Sequence, residues 1–137
     1  SKVKIVIDSS VLISALDKKD PFIKPSLELL KAIRNKDVIL PIIVIAEIMV
    51  ILLRQGYGAI PELLDNLSKF KIIPLDKSEL NKIITNSSSK TTLKTSDYII
   101  AMTAKLNQAI LITWDQQLLK NCICKTLTPR QYLERSR

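Results

Sequence analysis

Histidine is absent from this chain, and cysteines and aromatic residues are few. Without imidazole there can be no Ser-His-Asp triad, no histidine general acid–base catalysis and no histidine-ligated zinc. The two cysteines, Cys122 and Cys124, cannot complete a four-ligand zinc site, and their spacing is not the C-x-x-C redox pattern. They read as reduced cysteines on a short strand of a cytosolic protein. Aromatics make up 4% of the residues, which argues against a base-stacking surface of the RNA-recognition type. A membrane-length apolar run is also missing. The only candidate, Val38 to Leu53 (VILPIIVIAEIMVILL), has 16 residues and contains Pro41 and Glu47, whereas a spanning helix needs about 20. A buried strand-turn-helix accounts for it. The sequence opens on a strand pattern with no signal-peptide pattern, so a cytoplasmic protein without membrane attachment is expected.

The 137 residues fit one domain, residues 1–137, long enough to bury a sizeable core. Hydrophobic residues at 47% and charged residues at 25% are those of an ordinary globular protein. Lys and Arg number 21 against 13 Asp and Glu, a net charge of +8. That surplus serves solubility or a polyanionic partner, since phosphate neutralisation supplies most of non-specific nucleic-acid affinity. No block of Lys or Arg stands out, so a basic surface has to be assembled by folding.

Strand and helix patterns alternate along the chain. Lys2 to Asp8 reads as a short strand whose continuous β-branched run suits a parallel sheet covered on both faces. Ser10–Leu16 follows as a short helix, Lys18–Pro25 as a loop, and Ser26–Arg34 as an amphipathic helix with Leu27, Leu30 and Ile33–Arg34 on its core side. Val38–Leu40 is a second strand and Ile42–Arg54 a helix. Ile60–Leu67 is helical with Pro61 in its first turn, and Lys71–Pro74 is a third strand. Ser78–Ile84 is a helix with Ser78 as its N-cap, Asn86–Thr95 a loop, and Asp97–Leu106 a helix. Ala109–Thr113 is a strand, Asp115–Leu119 a short helix and Ile123–Lys125 a last strand. Thr128-Pro129-Arg130-Gln131 is a capping box that opens a C-terminal helix. The order implies an α/β domain with a mainly parallel sheet, in which ligands sit beyond the carboxyl ends of the strands where strand order reverses.

Four acids fall where chemistry would be expected. Asp8 ends the first strand, and Asp115 follows the strand Ala109–Thr113. If the two strands are neighbours across the switch point, these carboxylates converge; capping alone would be a common role for Asp115. Asp97 shares a helix face with Ile100, Ala101 and Ala104 and so points towards the sheet, although an acid in a first turn is also favoured by the helix dipole. Glu47 is the only charge between Val38 and Leu53, amid Ile43, Val44, Val50 and Ile51. A carboxylate there must be paired with a lysine, protonated or bound to a cation. Two unit charges at 4 Å repel by about 4 kcal/mol at an effective dielectric of 20. A hard divalent ion, Mg2+ or Mn2+, would resolve the repulsion, because it prefers oxygen ligands. An all-carboxylate site of that kind suits a phosphate ester, and it needs no histidine.

These four positions, in this order, resemble the PIN-domain nucleases. The resemblance rests on VIDSSVLISAL, PIIVIAEI, TSDYIIAMTAK and LITWDQQL, and it runs from Val3 to about Leu119. It implies a parallel sheet of order 3-2-1-4-5 with helices on both faces. It also implies Mg2+- or Mn2+-dependent cleavage of RNA that leaves a 5′-phosphate and a 3′-hydroxyl. Carried over, Asp8, Glu47, Asp97 and Asp115 are the metal-site acids, and Ser9 and Thr113 are small hydroxyl residues that line or support the site. A short PIN domain of this kind is similar to the toxins of VapBC-type pairs, which implies a homodimer and a cognate antitoxin. The helices Ile42–Leu53 and Ile60–Leu67 are then dimer or antitoxin surfaces, or simply core. Gln117 stands where many members carry a further acid, and Trp114 where a smaller polar residue is common. Lys90 and Lys94, in the loop NSSSKTTLKT, either contact substrate phosphates or belong to a solvated linker. Two other readings are a degenerate PIN domain that binds RNA or an assembly partner, and a phosphotransfer protein of the receiver or dehalogenase-like type. The second lacks the paired acids expected after the first strand.

Overall fold

A computed structural model describes residues 3–88, 90–121 and 123–135. Cys122 and the start of the strand expected from Lys2 lie outside the described residues. Five strands form one sheet: β1 (Lys4–Ile7), β2 (Asp37–Pro41), β3 (Lys71–Ile73), β4 (Ala109–Ile112) and β5 (Thr126–Leu127). Their order is β3-β2-β1-β4-β5, with every neighbouring pair parallel. This is the expected 3-2-1-4-5 arrangement. Ile5, Val6 and Ile7 are all completely buried. Successive strand side chains point to opposite faces, so burial of three in a row means that both faces are covered.

The covering helices are α1 (Ser9–Leu16), α2 (Ile23–Ala32), α3 (Ile42–Arg54), α4 (Ile60–Leu67), α5 (Lys77–Thr85), α6 (Thr95–Leu106), α7 (Gln116–Leu119) and α8 (Pro129–Arg135). α1 packs on α2 and α3, and α2 on α8; α6 packs on β1, β4, α3 and α5. The main core joins the strand residues to Val11, Leu29, Val44, Ile48, Ile100 and Leu118, while Ile83, Ile99 and Met102 form a smaller cluster between α5 and α6. None of the helices among the described residues is long and apolar enough to cross a membrane.

Several boundaries differ from expectation. α2 begins at Ile23 rather than Ser26, because Pro25 falls in its first turn, where a missing N–H costs no intrahelical bond. Its buried side is Ser26, Leu29 and Ile33, whereas Leu27 is half exposed and Arg34 is exposed. α5 is capped by Asp76, whose carboxylate accepts the Glu79 N–H at 2.9 Å, and not by Ser78. α6 starts at Thr95, so Asp97 lies inside its first turn. The last strand is Thr126–Leu127, not Ile123–Lys125. Asn121 Oδ1 accepts the N–H groups of Ile123 (2.8 Å) and Cys124 (3.2 Å) and holds these two residues in a bend, and pairing with β4 begins only where Lys125 O accepts Leu111 N at 2.9 Å. Cys124 is therefore a free thiol in a turn, not on a strand. The capping box forms as read: Thr128 Oγ1 accepts from Gln131 N (3.1 Å) and Gln131 Oε1 from Thr128 N (2.8 Å).

Candidate active site

Strand order reverses between β1 and β4. Ile7 pairs with Ile112, and Asp8 N donates to Ile112 O at 3.0 Å, so the two strands release their next residues side by side. Asp8 is buried. Its Oδ2 accepts from Thr113 Oγ1 at 2.7 Å and from Ser10 Oγ at 2.8 Å. Neither bond uses Oδ1, which has no hydrogen-bond donor among the described residues. Thr113 Oγ1 in turn accepts the N–H of Asp115 (2.9 Å), and Ser10 Oγ accepts that of Trp114 (3.0 Å). Two hydroxyls thus bind the turn after β4 to the acid that ends β1. Asp115 caps α7: Oδ1 accepts from Gln117 N (2.8 Å) and Leu118 N (3.0 Å). Capping occupies only one of its oxygens.

Glu47 comes from the middle of α3. Its two oxygens each accept one hydroxyl at 3.2 Å, Oε1 from Ser9 and Oε2 from Ser96. Burial, then the charge of Asp8, raises its pKa above the usual glutamate value; the two serines act against this, and Asp115 adds to it. Asp97, in the first turn of α6, accepts no hydrogen bond from a described residue. Burial pushes its pKa up to about 6, with the charges of Asp115, Asp8 and Glu47 adding in that order and Lys94 opposing them. Each helix acid therefore lies within electrostatic reach of both strand-end acids. The one ion pair among the described residues, Lys82 with Glu79, lies elsewhere. The lysine partner considered for Glu47 is absent there.

This is an all-oxygen set with excess negative charge, which fits a hard divalent cation. Among the described residues no three Asp, Glu or Cys side chains are grouped so that they could hold a metal ion together. Mg2+ keeps several waters and takes one or two carboxylates directly, so the remaining acids would act on it through water. Ser9 and Thr113 lie against Glu47 and Asp8, as just described. Lys94 is near enough to Asp97 to offset part of its repulsion. Lys90 is not among the acids but lines a neighbouring cleft, and Gln117 is exposed at the edge of that cleft.

Sequence reading did not single out Ser10 and Ser96, because serines beside acids are too common to carry a signal. It also missed the bracket around Trp114. The indole Nε1 donates to Ser26 Oγ (2.8 Å), Ser26 donates to Ser14 (3.0 Å), and Ser14 to Asp20 (3.0 Å). Phe22 stacks on Trp114 with ring centroids 4.2 Å apart, and the Arg130 guanidinium lies 5.5 Å and 5.6 Å from the two ring centres. The bulky residue between Thr113 and Asp115 thus ties the site turn to α1, α2 and α8.

The sequence matches the PIN domain family over residues 5–122, most of its length, and the chain belongs to that family. Its fold is also that of toxins from toxin–antitoxin systems. It superposes on a toxin–antitoxin complex from Klebsiella pneumoniae with a TM-score of 0.69 at 21% identity, covering 91% of this chain and 97% of the other. VapBC2 from Rickettsia felis, bound to a DNA fragment from its promoter, gives 0.66 at 20% identity, covering 92% and 98%. VapC20 from Mycobacterium tuberculosis, a sarcin-ricin loop cleaving toxin, gives 0.65 at 11% identity, covering 83% and 92%. No curated protein matches the sequence significantly.

Proposed function

We propose that residues 1–137 act as one PIN-domain endoribonuclease, dependent on Mg2+ or Mn2+, and serve as the toxin of a VapBC-type pair. What supports this reading is that Asp8 and Asp115 follow the two strands flanking the switch point, and that Glu47 and Asp97, with raised pKa values, lie within electrostatic reach of both, none of the four being ion-paired among the described residues. Asp8, Glu47, Asp97 and Asp115 would hold the cation. The bound ion would supply a water of lowered pKa and offset charge on the phosphoryl oxygens. The protein's own part is positional. Ser10 and Thr113 fix one oxygen of Asp8 and leave the other without a donor among the described residues. Ser9 and Ser96 hold Glu47 by both oxygens, so α3 and α6 approach the site through one side chain. Lys94 beside Asp97 would meet a substrate phosphate, with Lys90 further along the loop.

RNA as the substrate is supported by the net charge of +8 and by the fold shared with a sarcin-ricin loop cleaving toxin. An antitoxin partner is supported by the fold shared with toxin–antitoxin complexes and by an apolar groove of about 250 Å³ lined by Leu12, Leu16, Leu27, Leu63 and Phe70. Homodimerisation is supported by the outward apolar residues of α3: Ile42, Val50 and Leu53 are 39%, 41% and 60% exposed. This reading places the protein in the cytoplasm.

The deciding experiment is cleavage of RNA by the purified protein with Mg2+, with Mn2+ and with EDTA, beside Asp8→Asn. Metal-dependent cleavage that the variant lacks is expected. Equal cleavage by both proteins would refute the assignment. The second reading, a degenerate domain that binds RNA without cutting it, draws on the exposed Gln117 in place of a further acid. It predicts no stabilisation by divalent cations beyond a general ionic effect.

A further inference from the structure

Beside the acid site lies a cleft of about 320 Å³, at the lower end of the range of ligand sites, about 300–1,000 Å³. It opens between the loop residues 86–88 and 90–93, α6 and α7. Three of its lining residues are lysines and none is acidic. They come from three separate places: Lys90 from the loop, Lys105 from the last turn of α6, and Lys120 from the C-cap of α7. All three are exposed, and none is ion-paired among the described residues. Its apolar lining is Leu93, Ile123 and Met102, the last of them buried and packed by Ile123. The loop that forms one wall is anchored: Tyr98 Oη donates to Ser87 Oγ, Ser87 donates to Ile83 O at 2.7 Å, and Leu93 packs on the main core.

Two lining residues connect the cleft to the acids. Tyr98 follows Asp97 directly, and Gln117 lies two positions after Asp115. A chain of phosphates lying across the carboxylates would therefore run on into a pocket with three unpaired ammonium groups and no competing acid. We infer that this cleft is a backbone subsite for single-stranded RNA, one that holds a phosphate away from the scissile bond through Lys105 and Lys120 together with Lys90. The inference rests on the nuclease reading and extends it, since it requires the substrate to reach beyond the acids on the α6–α7 side. A different basic concavity, lined by Lys36, Lys69, Lys71 and Arg34, also contains Asp37. It lies at the amino end of β2 and β3, opposite the acids, and provides a matched control.

The test is equilibrium binding of a single-stranded RNA of about ten nucleotides, within the span that such grooves cover, in EDTA so that the strand stays intact. Three proteins of equal thermal stability are compared: the parent, K105A/K120A and K69A/K71A. K105A/K120A is expected to bind about tenfold more weakly at low salt, with a log–log salt slope shallower by about 1.4, or about 0.7 for each phosphate no longer neutralised. K69A/K71A, which removes the same charge, should stay within about twofold of the parent with its slope unchanged. Parent-like binding by K105A/K120A, or an equal loss in K69A/K71A, overturns the subsite, as does failure of the parent to bind. Cleavage by the parent with Mn2+ is scored separately. A parent that cuts RNA while K105A/K120A binds normally loses the cleft and keeps the nuclease reading. A parent that binds through the two lysines but never cuts keeps the cleft and loses the nuclease reading.

Discussion

The strand-end acids and the helix acids lie within electrostatic reach of one another but are held in opposite ways. Asp8 and Asp115 leave adjacent parallel strands, and together they accept four hydrogen bonds, from two hydroxyls and two backbone amides. Glu47 and Asp97 arrive on α3 and α6, accept two hydroxyl bonds between them, and carry the raised pKa values. The sheet sets the place of the first pair, and the second pair brings charge that Lys94 and two serine hydroxyls offset only in part. Backbone pairing can hold a carboxylate in position, whereas partly burying helix-borne carboxylates near like charges disfavours their ionised form.

Breaking the fixed pair should have the largest effect. Asp8→Asn keeps an oxygen for Ser10 and Thr113 and removes the charge, so RNA cleavage should fall by about 10²-fold or more, the scale for losing one preorganised electrostatic group, with little change in Tm. A loss of activity matched by a loss of structure in circular dichroism would instead make Asp8 a fold residue. Thr113→Ala should be felt mainly in stability. It removes a buried donor to a carboxylate and an acceptor for Asp115 N, at a cost of about 1.5–3 kcal/mol in denaturant unfolding. An unchanged midpoint would show that water replaces the hydroxyl.

The helix pair should respond in the opposite sense. Removing its charge with Glu47→Gln or Asp97→Asn should raise Tm in EDTA at neutral pH and shrink the further rise that Mg2+ or Mn2+ gives the parent. The pH dependence follows from Asp97. Its folded pKa of about 6 lies above the ordinary value of 3.8. Between these values the folded protein holds a proton that the unfolded chain has released, so this group's contribution to stability falls as pH rises through that window. Tm measured in EDTA across the window should decline more steeply for the parent than for Asp97→Asn, and parallel curves would contradict the shift. Divalent cations compete with that proton, so their stabilising effect should grow as pH rises through about 6.

The smallest expected effect lies where the site turn meets the helical layer. Ser26→Ala leaves the Trp114 indole N–H without its acceptor, and unfolding should cost about 1–2 kcal/mol less while cleavage changes little. A large loss of activity would show that the bracket also sets the angle at which Asp115 meets the strand-end pair.

The sheet order was legible because it depends on signals that survive in one dimension, and the same signals marked the four acids as candidates. The runs IVI and AILI are apolar without alternation, each followed by an acid, and Glu47 is an isolated charge in a long apolar segment. What was not legible depends on partners distant in the chain. Ser26 is polar yet completely buried, since it receives the Trp114 indole and passes its own proton to Ser14, so the core side of α2 takes in Ser26 and Leu29 beside the expected Leu30 and Ile33 and leaves out Leu27. Asp76 displaced Ser78 as a cap because either residue could serve and only backbone geometry decides. The three lysines of the cleft carry no local pattern, since they gather only once α6, α7 and the loop residues 86–88 and 90–93 are folded.

Trp114 is the only tryptophan in the chain, and it sits between Thr113, which holds Asp8, and Asp115. Its intrinsic emission is therefore an optical gauge of this one turn, with no background from other indoles. Filling the acid site, or loosening the strand ends that build it, should register as a change in colour or intensity before any product is formed, so occupancy can be followed separately from turnover.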